Sequence, residues 1–523
     1  MSSASNQKAN WAIFIVYCII AGYVLWQHEM WRDELQAWGL VSSAATLPDL
    51  VHNARYEGHP MLWFILVWPV AKLWTNPVAI QVLHGCLAVA TAYLLVFRSP
   101  FTLFEKILIL FSYYFIYEYV AISRNYQIGI LLICLICVVW KNLHKNFLLV
   151  SGLLLVLFQT NIFAFLVGLG LSLGLLVEEY QAKSLWPLTG KHLIAAFFIL
   201  TGIFFTSRAM PPADSGFLNE WTNEFKGETA LFALAGIAHG FLPLTDFSIY
   251  HFWNQSYFPF DMTVKLILGL ILLIMAVFSM PKDRVALVIL CASILFIFVF
   301  TYVKPRGNLR HFGHYMIVLL AAYWIQADKR PGDQTGNVTI GYFGILVLII
   351  QVMAGVNALY RDIRYPFSMA KNVAAYIQKN YPENVVVSGV FQDYLTAVRW
   401  YLQKPIYYLD IQEYGSHVLF SKSNWNDTLN RQADSVTYAR HIGFSQLHTP
   451  SLLIMSYHSL PESGHNPYVG EKDTLRTRDG VYVFTCVKKF EGSITAEDYY
   501  LFGVSKLAKR PDMSGRLARA FRR

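Results

Sequence analysis

Apolar residues run in long, nearly unbroken blocks through the first two thirds of the chain and in short periodic or alternating blocks through the last third. The first long block, "WAIFIVYCIIAGYVLWQ" from Trp11 to Gln27, is of crossing length, because about 17 to 25 helical residues span a hydrocarbon core roughly 30 Å thick. Similar blocks near residues 78–97, 106–122, 126–140, 146–160, 161–177, 191–206, 264–280, 285–303, 309–326 and 339–358 predict further spans. Two stretches, 60–74 and 230–246, are ambiguous. The first is broken by Pro69 and is short enough to be interfacial or re-entrant. Residues 1–360 therefore read as a polytopic α-helical membrane domain of about 11 to 13 transmembrane helices.

Beyond residue 360 the period changes. "SMAKNVAAYIQKNYPEN" and "DYLTAVRWYL" have helical spacing, "VVVSGV", "PIYYLDI" and "SLLIMSY" are short buried-strand patterns, and "TRDGVYVFTCV" places an Asp-Gly turn before an alternating strand. These predict a small soluble α/β domain over residues 365–490, followed by a basic tail over 491–523. Neither a G-x-G-x-x-G nor a P-loop is present, so no nucleotide cofactor is expected.

Composition agrees with the pattern. With 55% hydrophobic and only 14% charged residues, the chain is too apolar for an ordinary soluble globule. Acidic residues rather than a small-residue cleavage site follow the first block, which is read as a retained span. Five of the six cysteines lie in apolar blocks, which argues against a disulfide framework, and Cys134 and Cys137 read as helix-packing residues. The net charge of +9 sits in short loops and in the tail, with no basic-aromatic surface of the kind that binds nucleic acid.

Those loops orient the chain. "RSPFTLFEK", "KNLHK", "EEYQAKSLWPLTGKH", "PKDR" and "ADKRPGDQTG" all prefer the cytoplasm, and they agree with a cytoplasmic N-terminus if neither ambiguous stretch crosses. The protein is then expected in a cytoplasmic (inner) membrane. Loops 28–77 and 207–263, the turns at "SRNYQ" and "VKPRGNLRH", and the C-terminal domain face outward. Ionisable side chains at a membrane boundary are costly unless they are solvated or paired, so the polar clusters collected on that side are candidates for function.

The first cluster is Arg32, Asp33 and Glu34 in "HEMWRDELQAW"; the second is Arg55, Glu57 and His59 in "NARYEGHPMLWF". Arg124 and Tyr126 open a span, with Arg124 suited to bidentate phosphate binding. Arg306, Arg310, His311 and His314 enter another. The three-residue spacing of the histidines suits a metal, a phosphate or acceptor contact, or plain anchoring. Asp214, Glu220, Glu224 and Asp246 in loop 207–263 read as solvated.

An acidic pair just after the first span, followed about 26 residues later by His59-Pro60, resembles the GT-C class of membrane glycosyltransferases. Its nearest likenesses are the protein O-mannosyltransferases and the lipid A aminoarabinose transferase, families 39 and 83. Those enzymes have Asp-Glu in the first external loop and His-Pro-Pro-Leu or Lys-Pro-Pro-Leu before an apolar segment. Here Met61 replaces the second proline, and Gln81 and His84 stand where many relatives have an arginine. The resemblance implies a polyprenyl-phosphate sugar donor held in the bilayer, an extracytoplasmic acceptor, Asp33 as general base, and Glu34 as its partner or as a ligand to a divalent metal ion. It also implies that His59 faces the donor phosphate. A transporter or flippase of lipid-linked sugars, or a non-catalytic assembly protein, is the competing reading.

Overall fold

The computed structural model describes residues 3–216, 226–245, 250–254, 262–280, 283–304, 307–329, 340–425, 434–447, 450–456 and 466–507. The chain divides into two compact units, one of residues 1–30 and 40–366, the other of residues 31–39 and 367–523.

The first unit is helical. Six of its described helices are long and apolar enough to cross a membrane: α1 (Ser3–Gln27), α5 (Val78–Phe97), α9 (Ile162–Gln181), α10 (Gly190–Ser207), α13 (Arg284–Val303) and α16 (Gly341–Arg364). Between them lie α3 (Leu47–Ala54), α4 (Leu62–Leu73), α6 (Leu103–Leu110), α7 (Tyr126–Trp140), α8 (Leu143–Phe158), α11 (Gly227–Phe241), α12 (Met262–Phe278), α14 (Leu309–Phe312) and α15 (His314–Asp328). The unit is that of a polytopic membrane protein. Helices α9 and α13 pack through Gly170 and Gly174. A Cβ on Gly170 would meet Ser293 Oγ, and one on Gly174 would meet Ile289 Cγ1, the close approach that small residues four apart permit.

The structure revises the expected spans. The block 106–122 is not one helix: α6 stops at Leu110, and a π-helical turn, Tyr114–Glu118, follows. The cause is local polarity, because Ser112 donates to Ile109 O and Tyr113 donates to Glu118, both buried. The ambiguous stretch 60–74 is a helix of 12 residues, about 18 Å long and well short of a hydrocarbon core.

The second unit is built on one seven-stranded mixed sheet. Its strands are β1 (Val386–Gly389), β2 (Ile406–Tyr408), β3 (Glu413–Gly415), β4 (Ser451–Ser456), β5 (Lys472–Thr477), β6 (Gly480–Phe490) and β7 (Tyr499–Leu507), in the order β3-β2-β1-β4-β7-β6-β5. Strand β1 pairs parallel to β2 and β4, and the remaining pairs are antiparallel. Helices α17 (Ala370–Asn380), α18 (Gln392–Leu402) and α19 (Asp434–Leu447) accompany it. Leu453, Met455, Phe484, Tyr500 and Phe502 are in its core. The expected boundary at residue 490 moves: β7 pairs with both β4 and β6, so the sheet takes residues 499–507 from the expected basic tail, because "YYLFGV" is apolar enough to bury. Residues 508–523 lie outside the described set.

The expected assignment of residues 31–39 to the membrane domain is also revised. They open helix α2 (Arg32–Ser43) and belong to the second unit. Three positions on one face, 32, 36 and 39, carry the attachment. Arg32 Nη1 donates to Asp393 at 2.9 Å, and its Nε lies 3.4 Å from Glu497 Oε1. The Gln36 amide donates to Val418 O and accepts from Val418 N, each at 2.7 Å, as a strand neighbour would. Gly39 approaches so closely that a Cβ there would lie 2.5 Å from Ser416 O.

Burial pushes the Glu497 carboxyl up to about 7, against the pull of Arg32 beside it. In the unfolded chain the same group ionises near its ordinary 4.5. The folded protein thus keeps a proton that the unfolded chain releases between those values. This contribution to stability is full below about pH 4.5, falls as pH rises toward about 7 and is constant above. Thermal unfolding of the full-length protein from pH 5 to 8 is expected to show a declining midpoint for the second unit, with Glu497→Gln flattening the decline. An equally steep decline in the variant would show that Glu497 ionises without cost.

Candidate active site

In the helical unit, sequence-distant side chains gather around His311. His59, Arg124, Arg310 and His314 all lie within electrostatic reach of its imidazole. Local capping sets the ring's tautomer. Asn308 N–H donates to His311 Nδ1 at 3.0 Å, closing a capping box at the start of α14, so Nε2 carries the hydrogen and donates to the Tyr126 hydroxyl at 2.9 Å. Phe163 stacks on the same ring at 4.6 Å and 7°. His314 points Nδ1–H at His311 O, 3.1 Å away, which leaves Nε2 as an acceptor. That nitrogen is buried and has no hydrogen-bond partner among the described residues.

A second polar layer supports the first. Glu118 Oε2 accepts from the Tyr113 hydroxyl at 2.7 Å and from Trp253 Nε1 at 3.0 Å, and the Trp253 ring faces the Arg310 guanidinium at 5.3 Å. Tyr119 donates to Arg310 O, and its own carbonyl accepts from His84 Nε2. His28 and Asp362 form a buried pair at 3.0 Å. Glu118, Tyr113, Trp253 and the His28–Asp362 pair were not anticipated. A lone glutamate in "YYFIYEYV" was the available signal, since a carboxylate in an apolar block is rarely idle.

The second cluster expected from the sequence separates. Arg55 Nη2 donates to the Tyr56 hydroxyl at 2.6 Å, and that hydroxyl donates to Asp214 at 2.7 Å, so Arg55 is engaged with loop 207–216. Glu57 is half-buried just past α3, and His59, also half-buried, joins the His311 group. Arg306, Glu220, Glu224 and Asp246 lie outside the described residues.

In the second unit, Asp33 and Glu34 divide their roles. Glu34 is fully buried and accepts from Trp31 N–H at 3.2 Å, capping the first turn of α2. Asp33 is half-exposed, and its charge bears on Arg32, Asp393 and Glu497. Burial raises the Asp393 carboxyl against the pull of Arg32, and burial pushes Asp410 up to about 6 while Gln392 donates to it. The Tyr394 ring stacks under the guanidinium at 4.2 Å.

The divalent cation considered for Asp33 and Glu34 does not fit this donor set. Glu34 is committed to Trp31 N–H, the Arg32 guanidinium sits against Asp393 and Glu497, and both nitrogens of His311 are engaged. Among the described residues no group of three or more His, Cys, Asp or Glu is arranged to hold a metal ion.

No protein-family model matches the chain, and no curated protein matches it. Among solved structures, it is similar to the crystal structure of ArnT from Cupriavidus metallidurans bound to undecaprenyl phosphate, at 11% sequence identity and a TM-score of 0.49, over 96% of this chain and 98% of that one.

Proposed function

We propose that this protein is a membrane glycosyltransferase that moves a sugar from a polyprenyl-phosphate donor to an extracytoplasmic hydroxyl acceptor, with inversion at the anomeric carbon. The observation that carries this reading is the gathering of His59, Arg124, Arg310, His311 and His314 in the helical unit, among the rings of Tyr126, Phe163 and Trp253. Two guanidiniums and the His59 imidazole suit a phosphate, and the aromatic rings and the acceptor Nε2 of His314 suit a sugar with its hydroxyls.

An apolar groove of about 760 Å³ supports the lipid part of the donor. Phe14, Leu25, Gly85, Leu94, Leu131 and Leu135 are among its lining residues, contributed by α1, α5 and α7. Helix α7 begins at Tyr126, so the groove runs along the helix that opens at the cluster; Leu131 lies about 7.5 Å further along that helix. A prenyl chain in the groove would keep its phosphate at the membrane boundary.

In the proposed reaction Asp33 accepts the proton of the acceptor hydroxyl as that oxygen attacks the anomeric carbon. The bond from that carbon to the phosphate oxygen breaks, and polyprenyl phosphate leaves carrying the electron pair. Arg124, Arg310 and His59 stabilise the charge that develops on the leaving phosphate. Glu34 holds the turn that carries Asp33.

Single-turnover transfer from a polyprenyl-phosphate sugar by well-folded, full-length protein tests the base. Asp33→Asn keeps the shape and removes the basic oxygen, and turnover is expected to fall by about 10²- to 10⁴-fold with donor binding intact. Near-normal transfer would remove Asp33 from the mechanism. Movement of the lipid-linked sugar across vesicles, without release of polyprenyl phosphate or labelling of an acceptor, would identify a flippase instead.

Donor affinity tests the cluster. Arg124→Ala and Arg310→Gln are each expected to weaken donor binding by about 1.5 to 3 kcal/mol, the worth of a hydrogen bond to a charged group. Arg55→Gln, whose guanidinium is engaged with Tyr56, is expected to change it by no more than about twofold. A loss at Arg55 equal to that at Arg310 would move the phosphate site to the Arg55 loop.

A further inference from the structure

We propose that the C-terminal domain is a working part of the transferase: Asp393 and Glu497 are positioning residues that grip Arg32 and thereby fix the aim of Asp33. The proposal rests on the function proposed above, in which Asp33 is the base.

The grip reaches both the main chain and the side chain of residue 32. Glu497 Oε1 accepts from Arg32 N–H at 3.2 Å and lies 3.4 Å from its Nε, while Asp393 Oδ2 takes Nη1 at 2.9 Å and the Tyr394 ring closes the third side at 4.2 Å. Tyr394 is held in turn, because its carbonyl accepts from the Tyr499 hydroxyl of β7. Trp31, one residue earlier, meets Phe367 edge to face at 6.1 Å. The first turn of a helix has free N–H groups and frays unless it is capped. This one is fixed from within by Glu34 and from the domain by Glu497.

Helical geometry then sets where Asp33 points. Positions 32, 36 and 39 lie on one face and are occupied by Asp393 and Glu497, by Val418, and by Ser416 with His417. Asp33 is one residue on, about 100° around the axis, and so turned off the gripped face. Any slack at Arg32 becomes a rotation of Asp33. A catalytic group displaced by about 1 Å can lose roughly 10²-fold in rate.

The choice of residues also argues for a directed role. Two carboxylates share a single guanidinium, and each retains a buried oxygen, Asp393 Oδ1 and Glu497 Oε2, with no hydrogen-bond partner among the described residues. An apolar contact of the same volume would attach the segment at less cost, since buried ion pairs are often no more stabilising than well-packed hydrocarbon. What the ion pairs add is direction.

The test uses full-length protein carrying Arg32→Gln, Arg32→Lys, Asp393→Asn or Glu497→Gln, with steady-state transfer and amide hydrogen exchange as readouts. The glutamine and asparagine variants are expected to lower kcat by about 10- to 100-fold with donor KM unchanged, and Arg32→Lys to recover part of the loss. Arg32→Gln combined with Asp393→Asn is expected to be little worse than either alone, because both break one interaction. Amides of residues 31–39 are expected to lose protection in Arg32→Gln while those of β6 and β7 keep theirs. Should Arg32→Gln fail to fold, Asp393→Asn carries the same expectations. A rise in KM with kcat preserved, or full protection of residues 31–39 in the variants, would overturn the proposal. If the unmodified protein turns over no polyprenyl-phosphate sugar, the proposed function fails by itself, and the exchange measurement alone still decides whether the grip exists.

Discussion

One guanidinium, that of Arg32, carries an electrostatic burden that the second unit is arranged around. Its side chain is 27% exposed and stands against Asp393, at 20%, and Glu497, at 1%. Removing those carboxylates from water costs free energy that a fixed cation nearby partly offsets, and here the cation comes from a segment more than 360 residues away in sequence. The consequence is mutual dependence. Without residues 31–39 the buried Glu497 and the half-buried Asp393 would lose the guanidinium they share. Without the domain, the first turn of α2 would have only its internal cap.

The helical unit faces a different constraint, which is that polar groups in an apolar surround need partners made of protein. It meets this by concentrating them. Glu118 takes two donors, and Gln81 donates to the carbonyls of Leu25 and His28 where α1 ends and its last carbonyls lack helical partners. His311 uses one nitrogen to cap its own turn and the other to hold Tyr126. Groups arranged in this way have little freedom to reorganise, which is what a site that stabilises developing charge requires.

Much of this was legible in the sequence, and the limits have physical causes. The long apolar blocks gave most of the helices, because hydropathy reads burial in lipid directly. The α/β pattern after residue 365 gave two of the three helices, α17 and α18, and strands β1, β2, β4 and β6, but it missed α19, β3 and β5 and stopped short of β7, whose apolar "YYLFGV" lay next to a basic tail that dominated the composition. The bilayer-boundary argument selected Arg124, Arg310, His311 and His314, and those do gather with His59. It also selected Arg55, which turned to Tyr56 and Asp214 instead. Asp393 and Glu497 could not be found this way. In "FQDYL" and "AEDYY" each looks like an ordinary exposed carboxylate, and only tertiary contact with Arg32 gives it a role.

The departures from the GT-C pattern become intelligible on the same grounds. Where many enzymes of the GT-C families that the sequence resembles have an arginine in the second span, Gln81 and His84 make neutral hydrogen bonds to backbone carbonyls, and both side chains are buried. An arginine in place of either would put a full charge into that packed polar layer. Under the proposed function the phosphate still needs a cation, and Arg124 and Arg310, both partly buried, supply it from the ends of other helices, with the Trp253 ring facing the Arg310 guanidinium. The requirement is set by the chemistry of a departing phosphate, and a sequence position is one of several ways to meet it.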